Sequence, residues 1–130
     1  MKEKTVIMPE SKIKAVDCQE ETVLFISNDK LGRGSDELGE ILMRNFIHTL
    51  SGQENPPATI ILINAGVKLT STGSPVIEEL TVLQKNGVTI LSCGTCLDYY
   101  KLKDHHKVGK ISNMHDITAI LLAKPHLISL

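Results

Sequence analysis

Three apolar, β-rich runs recur along the chain, each followed by a polar loop and then by apolar residues at helical spacing. Thr22-Val23-Leu24-Phe25-Ile26-Ser27 is the first and is nearly continuous, as a strand covered on both faces requires. A polar loop, Asn28 to Gly34, leads to Ser35 with Asp36 and Glu37 behind it, a hydroxyl cap with acids at the positive helix end. Leu38, Ile41, Leu42, Phe46 and Leu50 then fall at helical spacing, and Ser51-Gly52 ends the element. The second run, Thr59-Ile60-Ile61-Leu62-Ile63-Asn64, follows the break at Pro56-Pro57 and exits through Ala65 to Gly73. Ser74-Pro75 reads as N-cap and first helical residue. Ile77, Leu80 and Leu83 give an inward stripe, and Asn86-Gly87 stops it. Val88 to Ser92 is the third run, opening into Cys93.

Beyond the third run, Lys101 to Lys110 is polar and contains His105 and His106. Ile111-Ser112 predicts a short strand, Ser112 or Asn113 caps a last helix through Met114, Ile117, Ile120 and Leu121, and Leu127 to Leu130 predicts a final strand. Strands alternating with helices over loops of this length demand right-handed crossovers and a parallel sheet between helices. The expected fold is therefore α/β, a three-layer parallel-sheet sandwich of flavodoxin-like, doubly wound type. Residues 21–130 form the domain; residues 1–20 read as an N-terminal extension or edge strand. Cys18, with no cysteine or histidine near it, reads as a packing residue or bystander.

Composition narrows the functional classes. At 130 residues the chain can bury a core without staples. A formal charge of -1 and no basic stripe with interleaved aromatics argue against nucleic acid as a partner. No apolar run reaches the roughly 20 residues of a membrane span, and the N-terminus lacks the apolar core of a signal peptide. Three cysteines without an export signal predict a reducing cytoplasm. There, a close cysteine pair points to redox, metal or sulfur chemistry.

In a parallel sheet, ligands gather at the carboxyl ends of the strands, near the reversal of strand order. Three exits carry polar residues there: Asn28, Asn64 and Cys93. The asparagines are equally suited to making turns. Gly32-Arg33-Gly34 fails the dinucleotide fingerprint, because Glu37 stands where its third glycine belongs, and no phosphate-loop lysine follows. The chemistry concentrates at Cys93-Gly94-Thr95-Cys96, with Tyr99 and Tyr100 just beyond. Four readings stand: a dithiol oxidoreductase, a zinc site joined by His105 and His106, passive packing, and a persulfide or selenium carrier. A carrier needs a nucleophilic thiolate, expected here with a depressed pKa at a strand exit facing helix N-termini.

Several motifs in one order carry a family resemblance: Gly32-Arg33-Gly34-x-Asp36-Glu37-Leu38-Gly39, Asn64-x-Gly66-Val67-Lys68-Leu69, Gly73-Ser74-Pro75-Val76, Cys93-Gly94-Thr95-Cys96-Leu97-Asp98 and Val108-Gly109-x-x-Ser112-Asn113-Met114. Over residues 20–130 the chain resembles the DsrE-like C-terminal domain of YedF-type proteins, described as sulfurtransferase-like proteins of selenium metabolism, within the DsrE/DsrF/TusD superfamily. The resemblance implies a sulfur-relay cysteine at the strand exit, which falls on Cys93. Cys96 belongs to the narrower YedF-like pattern and would resolve or accept the persulfide. Asn28, Gly32, Gly34, Asn64, Gly66, Gly94 and Thr95 would line the pocket, without metal or cofactor. The resemblance also implies a homo-oligomer (trimer, hexamer or dimer) and a donor or acceptor protein such as a TusA-like one. The Cys-Pro-x-Pro motif of the TusA-like domain that usually precedes this one does not occur in the chain. The alternative is a non-catalytic oligomeric binding module of the same fold.

Overall fold

The computed structural model describes residues 22–123 and 126–130; the expectations for residues 1–20, Cys18 included, lie outside them. Among the described residues five strands, β1 (Thr22–Ile26), β2 (Thr59–Leu62), β3 (Thr89–Cys93), β4 (Lys110–Ser112) and β5 (His126–Ser129), form one parallel sheet in the order β4-β3-β2-β1-β5. Helices α1 (Asp36–Ser51), α2 (Ile77–Lys85), α3 (Gly94–Tyr99) and α4 (Met114–Ala123) connect them.

The period-two alternation of the strands divides the core between two faces. Leu24, Ile26, Ile60, Leu62 and Ile90 pack with Met43 and Ile47 of α1 and Leu80 and Leu83 of α2. Val23, Ile61, Leu91 and Cys93 point the other way, toward Ile117 of α4. This is the expected three-layer α/β sandwich. The strand order reverses between β1 and β5, not beside β3, so the cysteine loop does not sit at the switch point where the general rule would place a ligand.

Two local readings are corrected. In α1 the buried positions are Gly39, Met43 and Ile47, while Leu38, Ile41 and Leu42 are 52%, 40% and 40% exposed. Gly39 sets that rotation. A β-carbon there would stand 2.9 Å from Lys30 Cβ, and Leu31 N–H donates to the Gly39 carbonyl at 3.0 Å. The helix therefore approaches the loop after β1 on its glycine side. The second correction concerns residues 64–70, which form a 3-10 helix (Asn64–Thr70) rather than an open loop. Helix α2 then starts at Ile77, and Ser74 Oγ accepts from Val76 N–H at 3.1 Å in the turn before it.

A buried hydroxyl pair fastens that 3-10 helix to β3. Thr70 and Ser92, both fully buried, have their hydroxyl oxygens 2.8 Å apart, and Thr70 also donates to the Val67 carbonyl. A hydroxyl has one hydrogen, so Ser92 is the donor to Thr70. Ser92→Ala strips Thr70 of that donor in a dry site and is expected to cost about 1–2 kcal/mol in urea unfolding. A cost near zero would mean that another donor reaches Thr70.

Candidate functional site

Strand β3 ends by turning its alternation into chemistry. Ser92 faces the α1/α2 layer, so Cys93 must face the α4 layer, where it is 1% exposed among Val23, Ile61, Leu91 and Ile117. Helix α3 begins immediately, and Gly94 lies so close to β4 that a β-carbon would meet the Ser112 carbonyl at 3.1 Å. One turn later α3 delivers Cys96 to the exit of β2. There Asn64 N–H donates to Cys96 Sγ at 3.0 Å, and the thiol is partly exposed.

Asn64 holds that amide in place with a left-handed backbone, φ 50°, which asparagine tolerates better than most residues. Its side-chain carbonyl accepts from the Tyr100 hydroxyl at 2.8 Å. The Lys68 ammonium lies 4.7 Å from the Tyr100 ring centroid, and Tyr99 meets the same ring edge-on at 5.2 Å. Cys96, Asn64, Tyr100 and Lys68 thus form one connected group drawn from α3, its exit and the 3-10 helix.

Burial, the largest influence, holds the Cys96 thiol above its ordinary pKa. The Asn64 N–H pulls the other way by favouring the thiolate, and the neighbouring Cys93 thiol pushes it further up. The expectation of a depressed thiol pKa therefore does not hold at Cys96. Desolvation outweighs the single amide, and α3 is only six residues long.

The other expected site residues divide. Gly66 is buried against the exit of β1, where a β-carbon would stand 2.6 Å from the Ile26 carbonyl oxygen. Asn28 shares the sheet edge but spends its Oδ1 on Asp29 N–H at 2.8 Å, a turn-forming role. Gly32 and Gly34 have positive φ in open space, and Thr95 is exposed on α3. Among the described residues, no hydrogen bond joins Asn28, Gly32, Gly34 or Thr95 to the Cys96 group. Sequence reasoning passed over Lys68 and Tyr100 as site residues. The signal was present, since Lys68 stands inside the Asn64-x-Gly66-Val67-Lys68 motif and Tyr100 follows the cysteines.

His105 and His106 are laced to the 3-10 helix exit: Thr72 N–H donates to the His105 carbonyl at 2.9 Å and Lys107 N–H to that of Thr70 at 2.8 Å. Among the described residues, no three His, Cys, Asp or Glu side chains converge as metal ligands. His106 Nε2 is buried with no hydrogen-bond partner among the described residues, and burial pushes its pKa below the ordinary value. An unfolded chain therefore takes up this proton first as pH falls through about 6.5. His106 favours the fold above that pH, and its contribution is lost in acid. We expect His106→Gln to flatten the acid limb of thermal stability below about pH 6.5, with parallel limbs as the contrary result.

No protein-family model and no curated protein matches the sequence. Solved structures do match in shape. The ychN protein from E. coli superimposes with TM-score 0.63 at 14% identity, covering 85% of this chain and 99% of that one. A protein of unknown function, MTH1491 from Methanobacterium thermoautotrophicum, gives TM-score 0.61 at 18% identity over 84% and 97% of the two chains. BT1422 from Bacteroides thetaiotaomicron, also of unknown function, gives 0.59 at 15% identity over 87% and 97%. The fold is DsrE-like. At these identities the likeness concerns the fold alone. In this DsrE-like sandwich the thiol pair lies at the carboxyl edge of β2 and β3. Among the described residues, no helix is long and apolar enough to cross a membrane.

Proposed function

We propose that the protein is a cytoplasmic sulfur carrier, sulfurtransferase-like, that holds a persulfide or its selenium analogue on Cys96. The observation that carries the reading is the Asn64 N–H on Cys96 Sγ at 3.0 Å, a fixed donor on a partly exposed thiol. Cys93, 1% exposed, suits the second role, so the two thiols exchange the parts expected from sequence. Cys96 thiolate attacks the outer sulfur of a donor persulfide, R–S–SH. A Cys96–S bond forms, the donor S–S bond breaks, and its electron pair leaves on RS⁻, which takes a proton. Attack by the Cys93 thiolate on the inner Cys96 sulfur then releases HS⁻ and leaves a disulfide; an external thiolate attacking the outer sulfur instead receives it.

The sequence resemblance to YedF-type proteins supports the same reading and brings with it a donor or acceptor protein such as a TusA-like one. The exposed Leu38, Ile41 and Leu42 on α1 support a homo-oligomer, since one apolar helix stripe of this kind is commonly covered by a partner. A binding module with passive cysteines is the second reading, favoured by the raised pKa of Cys96. Incubation with a persulfide donor, followed by peptide mass mapping, separates them. A gain of one sulfur on the Cys96 peptide is expected, and an unmodified Cys96 would leave the binding module.

A further inference from the structure

A cleft of about 720 Å³ opens between α1 and the segment that runs from Lys68 to Pro75, and it meets the Cys96 group at Tyr100 and Lys68, with Cys96 itself behind the Tyr100 side rather than in the lining. Tyr100 belongs to both: its ring lines the cleft, and its hydroxyl holds Asn64 over the thiol side. The volume is that of a small-molecule site.

Charge decides what the cleft would take. Arg44 and Lys68 line it, and neither has a carboxylate partner among the described residues. Of the two lining acids, Asp29 is paired with the Lys30 ammonium at 3.2 Å, whereas Glu40 lies 3.9 Å from it and is held only loosely. Two further donors belong to residues that line the same space. The Gly73 amide donates to nothing among the described residues, and Ser74 Oγ accepts from Val76 N–H while keeping its own hydrogen. Unpaired cations with free N–H and O–H donors suit a carboxylate. Glu40, which Lys30 reaches only at 3.9 Å, suits an ammonium group.

We infer that this cleft binds a low-molecular-weight thiol of amino-acid type, carboxylate-bearing and cysteine- or glutathione-like, as the small donor or acceptor for Cys96. The assignment of sulfur to the ligand rests on the carrier reading; the charge preference does not. The carboxylate pairs with Arg44 and Lys68, and the ligand's sulfur passes the Tyr100 ring toward Cys96. With a glutathione-type persulfide as donor, the Cys96–S bond forms as the ligand's S–S bond breaks, and the ligand leaves as a thiolate that takes a proton.

Calorimetric titration of reduced glutathione tests the cleft without any sulfur transfer. Wild type and Cys96→Ser are expected to bind alike, with Kd on the order of 1 mM, and the double variant Arg44→Gln/Lys68→Gln about tenfold more weakly. Both substituted residues are exposed, so the fold is kept. Added salt should weaken binding to wild type, because the contact is largely ionic. No binding at about 10 mM, or equal affinity in the double variant, overturns the inference. Loading with glutathione persulfide and with inorganic polysulfide separates the two ideas. Polysulfide that loads Cys96 in a protein indifferent to glutathione leaves the carrier standing and removes the small-thiol cleft. Glutathione that binds where neither donor loads Cys96 upholds the charge preference and removes the carrier.

Discussion

Cys96→Ser loses sulfur loading by at least about a hundredfold, while Cys93→Ser keeps it within about threefold; removal of a nucleophile, unlike removal of a neighbour, abolishes the covalent step. The asymmetry follows from β3. Its last side chain is committed to the α4 face, and Cys93 is enclosed there by Val23, Ile61, Leu91 and Ile117. A donor persulfide cannot reach a sulfur so enclosed without opening the core. Cys96 lies one helical turn further, partly exposed, with an amide already directed at its sulfur. Because burial raises the Cys96 pKa, its thiolate fraction is small at neutral pH, and the wild-type loading rate is expected to climb still past about pH 8.5. A stopped-flow rate profile across pH checks the slope, and mass mapping of the two serine variants checks the assignment. If Cys93→Ser is the inactive variant, then Cys93 is the carrier and the core opens to admit the donor.

Gly66→Ala is expected to be the most damaging conservative change near the site, costing about 3 kcal/mol or more in urea unfolding. Its β-carbon would fall 2.6 Å from the Ile26 carbonyl oxygen, 3.3 Å from that carbonyl carbon and 3.5 Å from Asn28 N. All three are backbone atoms. The Ile26 carbonyl already accepts from Ile63 N–H at 3.0 Å, so relief means breaking a bond at the β1–β2 exit or lifting the 3-10 helix away. Lifting it would also part Asn64 from Cys96 and Thr70 from Ser92. Gly52→Ala is the matched control, since among the described residues its β-carbon would meet nothing nearer than 3.7 Å. Equal stability of the two variants would show that the 3-10 helix has room to move.

Much of this arrangement was legible from residue order. The runs from Thr22, Thr59 and Val88 are apolar on both faces, and that alone specifies a parallel sheet between helices. The α2 stripe of Ile77, Leu80 and Leu83 was equally plain. In α1 the larger apolar residues misled, because Gly39 seats against Lys30 and Leu31; a contact between distant residues, not periodicity, sets which side faces in. The 3-10 helix escaped for a similar reason. Asn64 to Thr70 has no apolar period of its own and is held by Gly66 on β1 and Thr70 on β3. Motif order pointed to the cysteine loop and put Cys93 first. It carried no information on sheet facing or on the pull of one amide against desolvation, which are properties of the assembled edge and underlie the proposed exchange of roles.

The amide of Asn64 has a further use. Its hydrogen points at the one sulfur expected to change composition, so its ¹⁵N–¹H resonance is a built-in reporter of the state of Cys96. A thiol, a persulfide and a disulfide differ as acceptors, and each should give that cross-peak its own position. The occupancy of the carrier could then be followed in solution, turnover by turnover, without a label on the sulfur.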